Sequence, residues 1–109
     1  MPKGYWVTWY HSIGEPSSHE RYAEAATAAI GVFGGRFLTR GLPVASFEGQ
    51  QLQGQRCVVV EFESVAAAIA AYDSPAYQAA LCLLGSAAVR EVRILEGNAE
   101  SGPSQSQAQ

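Results

Sequence analysis

The chain has 109 residues, of which 48% are hydrophobic, and a formal net charge of −3. This length and apolar content suit one modest core, because each of two half-sized domains would bury too little surface to be stable. Its seven Lys and Arg residues are scattered along the sequence and outnumbered by ten acidic residues, so we expect neither nucleic acid nor a membrane as a partner.

The cysteines and the N-terminus indicate the compartment. Cys57 and Cys82 lie far apart within apolar runs, a pattern typical of buried free thiols. The first residues, MPKGYWVTWYH, lack the apolar segment of a signal peptide, and no stretch elsewhere is long and apolar enough to span a bilayer. We therefore expect a soluble protein of the reducing cytoplasm.

The first element in the chain is a predicted strand at residues 4–11, GYWVTWYH, which is rich in aromatic and β-branched residues. Alternation divides its side chains between one face with Tyr5, Val7, Trp9 and His11 and another with Trp6, Thr8 and Tyr10. Because both faces carry large rings, we expect cover on both sides of this strand.

A helix is predicted next. Ser17 and Glu20 match a capping box, so we expect the helix to begin at Ser17, with His19 in its first turn facing solvent. An apolar stripe at helical spacing follows, made of Tyr22, Ala26, Ile30 and Phe33. The pair Gly34-Gly35 then predicts the left-handed end of the helix.

The middle of the chain predicts a short strand and a connection. Residues 36–40, RFLTR, form a strand candidate, and residues 44–48 can continue extended after Pro43. Residues 49–55, GQQLQGQ, are polar with two glycines and predict a flexible connection.

The second half predicts a buried strand, a divided helix and a last strand. Residues 57–62, CVVVEF, are typical of a strand covered on both faces, because Val58-Val59-Val60 leaves no polar face. Ser64 is the expected cap of the following helix, and Ser74-Pro75 restarts it with a capping serine and a proline at the first helical position. Gly85 is the expected end of the second segment, and residues 89–96, VREVRILE, predict the last strand.

This order predicts an α+β protein with the ferredoxin-like βαββαβ arrangement, in which helices cover one face of an antiparallel sheet. We place this domain at residues 1–97 and expect the polar tail, 98–109, to be disordered. The face without helices would expose Tyr5, Val7, Trp9, Cys57 and Val59, which is too apolar for water. The sequence therefore predicts a homodimer in which two such faces meet in a barrel.

Several segments carry a resemblance to a known family. They are residues 4–7, 34–41, 58–62 and 72–78, with a last strand that ends at Glu96-Gly97. In this order and spacing they resemble the domain-of-unknown-function family numbered 1330, over everything but the tail. The resemblance implies the dimeric α/β-barrel superfamily, which also contains antibiotic-biosynthesis-type monooxygenases, muconolactone isomerase and chlorite-dismutase-like proteins. It implies no established activity.

Three residues are candidates for catalysis. Alternation sends Glu61 to the open face of the sheet, where a buried carboxylate has a raised pKa unless it is paired and is a candidate proton acceptor. The alternative is a structural ion pair of Glu61 with Arg40 or Arg36. Arg40 itself is a candidate clamp for a substrate carboxylate. His11, at the end of the first strand, is a candidate general base or else a surface residue.

The aromatic residues are candidates for holding a planar organic ligand, with ordinary core packing as the alternative. The predicted ligand-binding residues are Tyr5, Trp9, Tyr72 and Tyr77, which Trp6 and Tyr10 can join. The two histidines have no ligand spacing with each other or with a cysteine, so we expect no metal. No phosphate loop or nucleophile elbow occurs in the sequence, and we expect no cofactor.

Two hypotheses about function follow. In the first, the protein is a cofactor-independent enzyme, like a monooxygenase or an isomerase, that acts on a small organic molecule through Glu61, His11 and Arg40. In the second, it is a non-catalytic dimer that binds a small ligand or only associates with itself. The first rests on analogy with the superfamily, which is a weak guide to chemistry.

Overall fold

The structure is a computed structural model that describes residues 2–49 and 56–98. Its elements, in chain order, are β1 (Gly4–Ile13), α1 (Pro16–Val32), β2 (Arg36–Gly41), β3 (Cys57–Phe62), α2 (Val65–Asp73), α3 (Pro75–Leu84) and β4 (Ala88–Glu96). The predicted order of strands and helices is confirmed. The predicted flexible connection lies outside the described residues from position 50 to 55, and the predicted disordered tail lies outside them from position 99 onward.

The four strands form one antiparallel sheet in the order β2-β3-β1-β4. In the two pairings of β1, Trp6 lies opposite Val60 on β3 and Ile94 on β4. Paired residues share a face of the sheet, so these three side chains point to the same side. The two inner strands are thus the first and third in the chain, which confirms the ferredoxin-like fold.

The three helices cover the face that carries Trp6, which we call the helix face. Trp6 and Val60 are 1% and 0% exposed, and the buried cluster around them includes Phe62 and Tyr77. The ring of Tyr77 meets the ring of Trp6 edge to face, with 5.0 Å between centroids. The mainly apolar strand β3 therefore forms the centre of the core, as its sequence predicts.

The opposite side of the sheet, which we call the open face, has no helix on it within the described residues. By pairing and alternation it carries the side chains of Tyr5, Val7, Trp9, Cys57, Val59, Glu61, Val89, Glu91, Arg93 and Leu95. Val89 and Leu95 are 59% and 52% exposed, and Val7 and Val59 are half-buried. The open face therefore presents an apolar centre to its surroundings.

The first helix begins differently from the prediction. Its N-cap is Glu15 and its first residue is Pro16, and the side chain of the cap makes no capping hydrogen bond. The predicted capping box of Ser17 and Glu20 is therefore wrong. Pro16 explains the earlier start, because its fixed φ suits the first helical position and its missing N–H is not needed there. The helix ends as predicted, with Gly34 at a φ of 82°.

The second and third helices begin as predicted. Ser64 Oγ accepts a hydrogen bond from Ala67 N at 3.1 Å, and Ser74 Oγ accepts one from Tyr77 N at 3.2 Å. Gly85 ends α3 with a φ of 52°. The longest helix, α1, has 17 residues, and none of the helices in the described part of the chain is long and apolar enough to cross a membrane.

Residues 42–49 contain no strand, and the pairing of β2 with β3 ends at Gly41 and Cys57. One further expectation is corrected. Cys82 is exposed rather than buried, because it lies on the side of α3 opposite Tyr77, Ala80 and Leu84. Cys57 is half-buried on the open face, and both thiols are free.

Candidate functional site

A cleft lies between α1 and the helix face of the sheet and has a volume of about 50 Å³. All four strands and α1 contribute to its lining. Apolar groups form most of the wall, and they are Trp6, Ala23, Ala26, Ile30, Phe37, Val58 and Val60. The polar groups are Thr8, Tyr10, His19, Tyr22, Thr27, Arg40, Arg56 and Arg90. The cleft thus combines an apolar wall with a dense set of donors, as small-molecule sites do.

One polar cluster is built around Arg90 of β4. Its Nη1 donates to the Tyr22 hydroxyl at 2.9 Å, and its Nη2 donates to the Tyr77 hydroxyl at 3.1 Å. The two hydroxyls are 2.6 Å apart and share a hydrogen bond. A guanidinium can only donate, so both hydroxyl oxygens act as acceptors toward it. One of the two phenolic protons is used between the rings and the other is left available.

His19 joins this cluster through Tyr10. His19 Nε2 lies 3.1 Å from the Tyr10 hydroxyl, and Arg90 Nη1 donates to the same oxygen at 3.4 Å. Because Tyr10 accepts from the guanidinium, its own proton is free to point at the imidazole. The expectation that His19 faces solvent is wrong. It is 8% exposed, because the apolar stripe of α1 extends back by one turn to include it.

The pKa shifts in this cluster share one main cause. Burial lowers the pKa of His19, and the positive charges of Arg56 and Arg90 lower it further. Burial raises the pKa of Tyr10 and, more strongly, that of Tyr22. At neutral pH the cleft therefore holds a neutral imidazole, protonated phenols and charged guanidinium groups.

Two more arginines line the cleft from neighbouring strands. Arg40 of β2 pairs with Val58 and donates to Thr27 Oγ1 at 3.3 Å, and its guanidinium lies 4.0 Å above the Phe37 ring. Arg56 precedes β3, two residues before Val58, and its backbone carbonyl accepts from Tyr10 N. Its Nε is buried and has no hydrogen-bond partner among the described residues.

The charge of the cleft is unbalanced. Three of the seven Lys and Arg residues of the chain line it, and no Asp or Glu is among its described lining residues. Within residues 2–49 and 56–98, none of these three arginines forms an ion pair. In a chain with a net negative charge, this is a strong local concentration of positive charge.

The three residues predicted to be catalytic do not come together. Glu61 lies on the open face in an ion pair with Arg36 and accepts a hydrogen bond from the Tyr5 hydroxyl at 3.0 Å. Its bonds from Arg36 and Tyr5 hold its pKa below the usual range. Of the alternatives for Glu61, the structure shows the ion pair, with Arg36 as the partner. Arg40 lies on the helix face, where it lines the cleft.

His11 lies at the edge of the open face, where its Nε2 is 3.0 Å from a carboxylate oxygen of Glu91. The four predicted ligand-binding residues are also outside the cleft. Tyr5 and Trp9 are on the open face, while Tyr77 and Tyr72 pack against the ring of Trp6. Of the seven predicted site residues, Arg40 alone is among the described lining residues of the cleft, and the functional roles of all seven stay predictions.

The sequence contained features that point to the missed residues. His19 lies three positions before Tyr22, the first member of the helical stripe. Arg90 alternates with Val92 and Ile94, and Arg56 alternates with Val58, so both belong to the helix face. Periodicity assigns these side chains to the inside, but it does not show that they meet.

The fold and the cleft define a ferredoxin-like α/β protein with a polar cleft beneath its first helix. Within this class, the chain belongs to the family described as Domain of unknown function (DUF1330), whose model matches residues 3–98. The resemblance noted from the sequence is thereby confirmed. Comparison with curated proteins found no match.

Solved structures with the same fold include three informative neighbours. A protein of unknown function from Rhodopseudomonas palustris is 15% identical with a TM-score of 0.72, over 90% of this chain and 84% of that one. SnoaB, a cofactor-independent oxygenase from Streptomyces nogalater, is 14% identical with a TM-score of 0.63, over 94% and 97%. A dimeric ferredoxin-like protein of unknown function from Thermobifida fusca is 15% identical with a TM-score of 0.54, over 88% and 92%. Identity this low shows the fold alone.

Proposed function

We propose that the protein is a cofactor-independent enzyme that removes a proton from a small organic molecule bound in the cleft. The observation that carries this proposal is the chain of contacts from His19 through Tyr10 to Arg90 at an apolar-walled cleft. It combines a proton acceptor, a proton donor and a fixed positive charge, which are the groups that a proton-transfer reaction needs.

In the proposed reaction, the Tyr10 hydroxyl oxygen takes a C–H or O–H proton from the substrate as its own proton passes to His19 Nε2. The electron pair stays on the substrate as an enolate or phenolate, and the guanidinium groups stabilise this negative charge. His19 suits the role of acceptor because its lowered pKa keeps the imidazole neutral at pH 7. Return of the proton to another carbon would be isomerisation, and attack of the anion on dioxygen would be oxygenation.

The comparisons support the proposal at the level of the fold. SnoaB shares the fold and is a cofactor-independent oxygenase. A ferredoxin-like sheet with helices on one face is therefore compatible with chemistry that needs no bound cofactor. The residues that would do the chemistry here are assigned from the contacts in the cleft.

Proton exchange in D₂O tests the enzyme against the non-catalytic alternative. The probes are pyruvate and hydroxyacetone, whose methyl protons are acidified by a carbonyl group, and ¹H NMR follows the loss of their signals. Wild type should accelerate exchange of at least one probe. His19→Gln and Tyr10→Phe should each lower the rate by about 100-fold or more, the usual value of a general base. Glu24→Gln, an exposed change on α1, is the matched control.

The same experiment distinguishes the cleft from the site predicted from the sequence. If exchange survives in His19→Gln but disappears in folded His11→Gln or Glu61→Gln, the open-face residues carry the chemistry and the cleft does not. Binding of either probe without any exchange would instead favour a ligand-binding protein.

We further propose that the protein is a homodimer that buries its open face against a second copy. The support is the exposure of Val89 and Leu95 on the edge strand β4, together with half-buried Val7 and Val59 on the two inner strands. A two-fold contact needs only one self-complementary patch, and the Thermobifida fusca neighbour is dimeric. In such a dimer the two clefts lie on the outer sides of the paired sheets, so each copy carries a complete site.

A further inference from the structure

We infer that the cleft is a receptor for a small organic carboxylate, whose negative group is held by Arg56 and Arg40. This deepens the proposed function, because it names the class of molecule that the same cleft takes. The inference rests on the distribution of charge and of unused donors among the lining residues, and each of the three arginines contributes differently to it.

Arg90 is held by neighbouring tyrosines. Its two terminal nitrogens donate to the hydroxyls of Tyr10, Tyr22 and Tyr77, and its guanidinium lies 4.7 Å from the centre of the Tyr22 ring. Its charge is therefore fixed in place by neutral partners and is not neutralised. It contributes a positive potential to the cleft, while three of its five N–H donors are engaged by the tyrosine hydroxyls.

Arg56 has an unused donor that is buried. Its Nε is buried without a hydrogen-bond partner among the described residues, and leaving a charged donor unsatisfied is costly. A carboxylate would satisfy it, because the two oxygens match the fork of Nε and a terminal nitrogen of a guanidinium. An amide or hydroxyl group would fill the same place without cancelling the charge.

Arg40 stands where it can complete the contact. It pairs with Val58, and Arg56 lies two residues before Val58 on the same face, so the two arginines are diagonal neighbours across β2 and β3. Diagonal neighbours are roughly 7–8 Å apart at the backbone, a distance that two long side chains close easily around one anion. Arg40 is exposed, and it therefore marks the mouth of the cleft.

The volume limits the size of the ligand. A cavity of about 150 Å³ holds a benzene ring, whereas this cleft has a volume of about 50 Å³. The enclosed part thus accepts a carboxylate with a few further heavy atoms. A short-chain organic acid fits this limit, and any larger portion of a ligand must extend past Arg40 into solvent.

The two tryptophans provide a signal for ligand binding and a control within the same protein. The Trp6 indole lies at the cleft, and the Trp9 indole lies on the open face, so the first reports on the cleft and the second is an internal control. Pyruvate, hydroxyacetone and inorganic phosphate are titrated into ¹⁵N-labelled full-length protein. Pyruvate should shift the Trp6 indole N–H signal and leave the Trp9 signal unchanged. Hydroxyacetone is similar in size but neutral, so it should bind at least about tenfold more weakly than pyruvate.

Variants of the arginines then test which guanidinium holds the carboxylate. Arg56→Gln should weaken pyruvate binding by about tenfold or more, and Arg40→Gln should weaken it less, because Arg40 is exposed. Arg21→Gln removes an exposed arginine of α1 that is bonded to Ser18, and it should leave binding unchanged. If Arg56→Gln does not fold, Arg56→Lys keeps the charge but loses the fork, and it should still bind pyruvate more weakly than wild type.

Several outcomes would overturn the inference. They are equal binding of hydroxyacetone and pyruvate, shifts confined to Trp9, no binding of pyruvate, tighter binding of phosphate than of pyruvate, and equal losses in Arg21→Gln and Arg56→Gln. The result is independent of turnover. If pyruvate binds more tightly than hydroxyacetone but neither exchanges protons, the carboxylate site is supported and the enzymatic function is contradicted. If hydroxyacetone exchanges protons and the cleft shows no preference for charge, the enzymatic function is supported and the carboxylate site is contradicted.

Discussion

At the scale of single residues, His19 is the side chain whose surroundings matter most. It is packed against Tyr10, with 5.2 Å between ring centroids, and it faces the positive charges of Arg56 and Arg90. The acid Glu20 opposes these effects only weakly. Folding therefore disfavours the protonated imidazole at this position.

This environment predicts a loss of stability in mild acid. The unfolded chain protonates His19 near the ordinary value of 6.5, whereas the folded protein does so at a lower pH because its pKa is lowered. As pH falls below about 6.5, the unfolded state binds the proton first, so the free energy of unfolding decreases. The decrease is at most about 1.4 kcal/mol per pH unit, the limit for one proton.

Urea denaturation at pH 7.5 and pH 5 measures this effect. His19→Gln should lose less stability than wild type between these two values, and His11→Gln should keep the loss that is due to His19. An equal decrease in wild type and His19→Gln would mean that the imidazole is not held neutral by the fold.

At the scale of elements, the junction between α2 and α3 connects local capping to the site. Ser74 is 7% exposed, caps α3 through Tyr77 N, and donates to Ala71 O at 2.8 Å. Tyr77 is the third residue of α3 and bonds to Arg90. The cap therefore helps to set where the tyrosine hydroxyls meet the guanidinium.

Removing this cap should cost more than removing the cap of α2. Ser74→Ala should lower the free energy of unfolding by about 1–2 kcal/mol, because it leaves Tyr77 N–H without its acceptor and removes one of the hydrogen bonds to Ala71 O. Ser64→Ala, at a less buried cap with a single bond to Ala67 N, should cost about 1 kcal/mol or less. Chemical denaturation of both variants measures the difference, and equal costs would contradict a special role for the buried junction.

At the scale of the whole molecule, the main feature is the open face, which no helix in the described part of the chain covers. Its apolar centre is bordered by the charged groups of Glu61, Arg36, Glu91 and Arg93, which pair among themselves. An apolar centre within a polar border is the usual composition of a protein interface. This pattern is the reason for expecting two copies to meet there.

Size-exclusion chromatography with light scattering tests the dimer. Wild type should be dimeric at micromolar concentration. Val59→Arg should raise the dissociation constant by about 100-fold or more, because it buries an unpaired charge opposite Val7. Val32→Arg, at a residue of α1 that is 81% exposed, should stay dimeric. A monomeric wild type, or a dimeric Val59→Arg, would contradict the proposed interface.

The order of the elements and their inner faces were determined by the sequence alone. Runs of aromatic and β-branched residues define β1 and β3, a period near four defines α1, and glycines and serines with local backbone roles mark most of the helix ends. These features act over a few residues, so they can be seen without the fold. The sequence does not fix the start of α1, because Pro16 and a plausible capping box lie within the same few residues.

The composition of the cleft was decided only by the tertiary structure. Arg40 and Arg90 lie on β2 and β4, Arg56 directly precedes β3, and His19 lies on α1. The strand order β2-β3-β1-β4 brings them to one place. A register shift in β2 between Phe37 and Thr39 separates Glu61 from Arg40, because one extra residue moves Arg40 to the face opposite that of Arg36. Alternation assigns a side chain to a face, but the pairing of distant strands decides which charges meet.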